Sequence, residues 1–175
     1  DRTFLRSSER SYICASINNM NLIDQIAEAV SYIQSQYSPK PLVGIVLGSG
    51  LGNFSEEMDI EKAIPYKEIP HFPVSTVEGH SGKLLLGTIK GKSVVAMAGR
   101  FHFYEGYAAA DVIFPIRVRK YLGIETLLIS NAAGGVNPAF KVGDLMMIHD
   151  HISFATANPL MGKNEPALGP RFPDM

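Results

Sequence analysis

The sequence predicts an α/β domain built on a mixed sheet, and three observations predict it. Apolar runs of strand length alternate with helical stretches, the pattern of sheet and helix layers sharing one core. Two of the runs flank Lys90-Gly91, where glycine accepts the positive φ of a tight turn, so a hairpin brings antiparallel pairing into the sheet. Three runs end in glycine-bearing loops, as covered strands do at the rim of an open sheet.

Residues 1–19 are polar and lack periodicity, and they read as an extension or leader. The regular domain is expected over residues 20–175, with Met20 as a natural start. In "NLIDQIAEAVSYIQSQY", Leu22, Ile23, Ile26, Ala27, Val30 and Ile33 recur at helical spacing and make one apolar stripe. Pro39 and Pro41 close that helix. "LVGIVLGSGLG" is a short apolar run that spills into glycines, a strand covered on both faces and then a tight loop. "KLLLGTIKGKSVVAMAG" supplies the hairpin. "DVIFPIRVRKYLG" reads as a helix despite Pro115, ending at Gly123. "ETLLISNAAGG" repeats the strand-to-glycine pattern, and "GDLMMIHDHI" is expected to be a further strand.

The chain has 175 residues, 46% of them apolar, enough for one domain with a substantial core. Sixteen Lys and Arg face seventeen Asp and Glu, so no basic surplus points to a nucleic-acid partner and any anion must be bound locally. Cys14 is alone and has no second thiol for a disulfide, which fits a cytoplasmic protein. No apolar run reaches membrane-spanning length, and neither a membrane partner nor a secretory signal is expected.

The chemistry is concentrated where three strands finish: "GIVL" runs into Gly48-Ser49-Gly50, "VVAMA" into Gly99-Arg100, and "TLLIS" into Asn131-Ala132-Ala133-Gly134-Gly135. Carboxyl ends of strands in an open α/β sheet line a common crevice. Glycines let backbone N–H groups approach an anion, Ser49 adds a hydroxyl, and Arg100 offers a planar fork for two phosphate oxygens. An extended backbone points His102 the same way as Arg100, and Tyr104, two further on, is placed to rest on a sugar. Each feature has an ordinary reading beside it. "GSGLG" fits neither the P-loop nor the dinucleotide pattern and can be a turn, Arg100 and His102 can be a solvated pair, and Tyr104 can be core. Glu105 is either an acceptor that orients His102 or Arg100, or a solvated surface carboxylate. His149 and His151 alternate to one face of the expected last strand, but no third ligand of clear spacing accompanies them, so hydrogen bonding is expected of them and a metal is not. His71 reads as a loop residue.

Together the words "GSGLG", "FPVSTVEGHSGKL", "GRFHFYEGY", "SNAAGGVNP", "GDLMMIHDHI", "NPLMG" and "RFPDM" resemble the purine nucleoside phosphorylases of the homotrimeric, 6-oxopurine type. They stand in family order from about Met20 onward, and "RFHFYEGY" is the most telling. The resemblance implies a mixed, partly barrel-like sheet flanked by helices. It implies phosphorolysis of inosine- or guanosine-like nucleosides to free base and (deoxy)ribose 1-phosphate, with inorganic phosphate as co-substrate and no cofactor. Carried over by motif, Ser49, His80, Arg100, His102 and the backbone of Ala132 hold phosphate, and Arg100 and His102 are catalytic. Tyr104 touches ribose, residues 131–134 (Asn131, Ala132, Ala133, Gly134) run beside sugar and base, and Phe154 is the nearest candidate for a phenylalanine that a neighbouring subunit contributes. The family's base-contacting glutamate and asparagine fall past Met175, so this 175-residue piece is expected to be poorly active or unstable by itself. A methylthioadenosine phosphorylase and a noncatalytic phosphate- or nucleoside-binding module are the alternatives.

Overall fold

The computed structural model describes residues 20–48, 51–74, 82–155 and 157–172. Its first helix, α1, spans Leu22–Gln36 and begins at Asn21, whose side-chain oxygen accepts the Asp24 N–H at 3.0 Å and satisfies one of the donors orphaned at a helix start. Ile26, Ala29 and Ile33 form its buried line, whereas Ala27 of the expected stripe faces solvent. The apolar face is therefore rotated slightly from the one read in the sequence.

Among the described residues five strands follow: β1 (Val43–Val46), β2 (Asp59–Pro65), β3 (Lys83–Ile89), β4 (Lys92–Ala98) and β5 (Thr126–Ile129). They form one sheet in the order β2-β3-β4-β1-β5. β3 pairs antiparallel with β2 on one side and β4 on the other, while β1 pairs parallel with both β4 and β5. Lys90 and Gly91 turn β3 into β4 with φ of 48° and 72°, the doubly left-handed turn whose twist suits a two-residue hairpin.

The sheet is mixed, as expected. Its two outer strands, β2 and β5, lie at opposite edges, so the sheet that the described strands form is not closed.

Between β4 and β5 lies the second helix, α2 (Ala109–Leu122), which keeps its course through Pro115 and stops at Gly123 in the left-handed region. α1 and α2 pack together on one face of the sheet. Leu84, Leu86, Val95 and Met97 point into that layer with Ile26, Ile33, Phe114 and Val118, while Leu85, Val94 and Ala96 turn to the other face with Ile45, Leu47 and Met58. The split is the period-2 alternation of a strand between two apolar environments. Among the described residues the helix-bearing face holds the larger buried cluster, which makes it the main source of their cohesion.

Residues 143–152, the expected last strand, form no strand. Leu145 and Met147 are fully exposed, and the run lies beside no described strand that pairs with it. An apolar, strand-like composition cannot make a strand until another backbone accepts its hydrogen bonds. The alternation of His149 and His151 consequently has no structural meaning here, and both residues are exposed. No helix among the described residues is long and apolar enough to cross a membrane.

Candidate active site

Parallel pairing of β4, β1 and β5 brings their carboxyl ends to one rim of the sheet, with Met97, Val46 and Ile129 level in register. Ser130 ties the three ends together. Its hydroxyl donates to Val46 O at 3.2 Å and accepts the Gly48 N–H at 3.1 Å, and its carbonyl accepts Arg100 Nη1–H at 2.9 Å. The approach is close enough that a Cβ on Gly48 would lie 2.9 Å from Ser130 O, so a side chain there would push β1 and β5 apart.

Arg100 leaves β4 just after Gly99, whose φ of 101° re-aims the backbone. Its Nε–H donates to His102 Nε2 at 2.9 Å. Two of the five guanidinium donors are thus used to set the plane of the fork. His102 itself is extended, as the sequence implied, and this is why its ring and the guanidinium share a side. The chain then turns through a short 3₁₀ segment, Phe103–Glu105.

That turn carries Glu105 back under His102. One carboxylate oxygen accepts both the His102 backbone N–H, at 3.1 Å, and the ring Nδ1–H, at 2.5 Å. The two side chains are 12% and 5% exposed, which excludes the solvated reading of Glu105. A carboxylate only accepts, so the proton sits on Nδ1, and Nε2 presents a lone pair to Arg100. Tyr104 does not continue the alternation, because the 3₁₀ turn ends it. The ring instead stacks on His102 at 4.7 Å with planes 20° apart and is 81% exposed, so it is not core.

Asn131, Ala132, Ala133 and Gly134 follow Ser130 without regular structure and are exposed, and a Cβ on Gly134 would meet nothing within 4 Å. Phe154 is 92% exposed. Ser49 and His80 lie outside the described residues. The structure therefore brings together Arg100, His102, Tyr104 and the start of the 131–134 segment, and it does not gather Phe154 with them. Among the described residues, no three His, Cys, Asp or Glu side chains meet as a metal site would require.

Two buried polar groups behind the rim escaped the sequence reading. Arg119 on α2, 1% exposed, donates to Ile45 O at 3.0 Å, to Met97 Sδ at 3.0 Å and to Pro115 O at 3.4 Å. Burial lowers its guanidinium to about 10. Tyr66, 2% exposed, donates its hydroxyl to Gly99 O at 2.6 Å, and burial pushes its phenol well above the usual range. Arginine inside an apolar helix stripe was the available signal for the first. Ser130 was visible only as a hydroxyl closing a strand. His71, the expected loop residue, takes a left-handed φ of 63° and sets Nε2 at 2.7 Å from Glu28 of α1.

Comparison with known proteins bears on this geometry. Residues 42–175 match the model of the Phosphorylase superfamily. Purine nucleoside phosphorylase 1 of Bacillus subtilis (strain 168) is 55% identical over 152 residues, covering 87% of this chain and 56% of the relative. The purine nucleoside phosphorylase of Rattus norvegicus is 48% identical over 82% of this chain and 51% of its own length. Among solved structures, isoform 2 of purine nucleoside phosphorylase from Schistosoma mansoni, in complex with cytosine and ribose-1-phosphate, superposes with a TM-score of 0.81 at 47% identity, covering 86% of this chain and 54% of that one. The chain spans about half the length of the curated relatives it matches. A family match over residues 42–175 takes in all five strands and α2, and on it the chain belongs to the phosphorylase superfamily.

Proposed function

We propose that the protein is a purine nucleoside phosphorylase, cleaving purine (deoxy)ribonucleosides with inorganic phosphate to free base and (deoxy)ribose 1-phosphate. The observation that carries the reading is the convergence of three strand ends on Arg100, whose fork is aimed by Ser130 and His102. Relatives of this chain bear the same activity in their names, and a related structure holds ribose-1-phosphate.

In this reading phosphate lies against the outer donors of Arg100. His102, with Glu105 holding Nδ1–H and its Nε2 lone pair accepting from Arg100, keeps the guanidinium turned toward the phosphate, and Ser49, His80 and the Ala132 N–H complete the cradle. As the bond from the anomeric carbon to the base nitrogen breaks, its electron pair leaves with the base, which is then protonated, and the sugar gains positive charge. The phosphate fixed beneath the ring stabilises that charge and supplies the oxygen of the new bond. The exposed face of Tyr104 packs on the ribose, and residues 131–134 run along sugar and base. No covalent enzyme intermediate is required, which fits the absence of a nucleophile and base pair at the rim among the described residues. Phe154 serves a neighbouring subunit's site in a homotrimer, and the protein works in the cytoplasm in purine salvage.

The test is incubation of the intact protein with inosine, with and without inorganic phosphate. Ribose 1-phosphate forming only when phosphate is present supports the reading. Saturable binding of nucleoside or phosphate without turnover would place the protein among noncatalytic binding modules instead.

A further inference from the structure

We infer that Tyr66 is a positioning residue for the phosphate site, fixing the backbone from which Arg100 projects. The inference rests on the phosphorylase reading above. Tyr66 stands where the chain enters its turn after β2, next to the start of β3 and the end of β4, which face each other through Lys83 and Ala98. Its backbone N–H donates to Gly82 O at 2.8 Å and its hydroxyl to Gly99 O at 2.6 Å. One residue thereby fastens both strands at the rim.

Arg100 is gripped on both sides by the same ring. Gly99, immediately before it, gives its carbonyl to the Tyr66 hydroxyl. Phe101, immediately after it and 4% exposed, packs its ring 5.2 Å from that of Tyr66. Gly99 is the residue whose left-handed φ re-aims the chain out of β4, and it is the most conformationally free point between the strand and the guanidinium. Binding its carbonyl removes that freedom before an anion arrives, so less ordering accompanies binding. Burial keeps the phenol protonated and hence a donor at neutral pH.

The experiment compares the intact wild-type protein with Tyr66→Phe, which keeps the ring and removes the hydroxyl. Inorganic phosphate binding is measured by calorimetry, and KM for inosine and for phosphate by steady-state kinetics. Loss of one short buried hydrogen bond predicts phosphate affinity about tenfold weaker and KM for inosine within about twofold of wild type. Unchanged phosphate affinity in a folded Tyr66→Phe protein overturns the inference and leaves the phosphorylase reading intact. A wild-type protein that binds no phosphate overturns the functional reading and this inference with it. If Tyr66→Phe does not fold, Phe101→Leu keeps the hydroxyl bond and loosens the ring contact. Phosphate binding weakened about threefold, with inosine unaffected, supports the inference, and equal phosphate binding rejects it.

Discussion

Replacing Glu105 with alanine removes an acceptor that two His102 donors share, one from the backbone and one from the ring. The ring bond is charge-assisted and nearly dry, since the carboxylate side chain is 5% exposed, so solvent screening discounts it little. A charge-assisted bond contributes about 1.5–3 kcal/mol and a neutral one about 1 kcal/mol, so the variant should lose about 2.5–4 kcal/mol. At this chain size that corresponds to a fall in Tm of about 5–15 °C. Catalysis should suffer separately. Without the carboxylate, the Nδ1–H loses its acceptor, Nε2 is held less firmly against Arg100, and kcat/KM for phosphate should drop about 10–100-fold. Glu105→Gln keeps an oxygen acceptor but not the charge and should fall between. Calorimetric unfolding and initial rates at varied phosphate give both numbers. A Glu105→Ala protein with wild-type Tm and wild-type KM for phosphate would refute the account of His102.

Three further outcomes follow from the same geometry. Arg100→Lys should raise KM for phosphate about 10–100-fold with little change in KM for inosine, because an ammonium cannot hold His102, Ser130 and an anion in one plane; steady-state kinetics with either substrate varied checks it. Gly48→Ala drives a methyl to 2.9 Å from Ser130 O, so urea unfolding should show a loss of about 1–3 kcal/mol, and a stability equal to wild type would contradict the closeness of β1 and β5. The third outcome concerns alkaline pH. The depressed Arg119 gives the unfolded chain the extra proton above about pH 10, so its contribution to stability rises there, whereas the raised Tyr66 gives the folded chain the extra proton and its contribution falls. The two oppose each other in the wild type. Tyr66→Phe leaves only the Arg119 gain, so its stability deficit should shrink between pH 10 and 11, as read by denaturant unfolding at each pH; a constant or growing deficit would count against the buried pair.

Much of this was legible in the sequence because the signals were local. Helical spacing after Asn21, the Lys90-Gly91 turn and the three glycine-bearing strand ends each report a backbone demand within a few residues, and the structure meets them. β2 was not read, because an edge strand bearing Asp59, Glu61 and Lys62 lacks the apolar alternation of an inner strand; such charges guard an edge against stray pairing. The reverse error occurred at residues 143–152, where a short apolar run of strand composition is present but no strand among the described residues pairs with it. Within the site, Arg100 and His102 announced themselves by residue type. Ser130 and Tyr66 did not, since a serine or tyrosine gains its importance here from carbonyls 30 or more residues away in the chain. Glu105 stood between the two cases: its spacing from His102 allowed the contact, and only the 3₁₀ turn decided it.

The central claim is that the rim of β4, β1 and β5 forms one anion site. A crystal of the intact protein grown with inorganic phosphate tests it most directly. The account predicts phosphate within hydrogen-bonding distance of the Arg100 guanidinium and the Ala132 N–H at once, with His102 Nε2 still accepting from Arg100. Phosphate bound with full occupancy elsewhere, and the rim left to water, would contradict it.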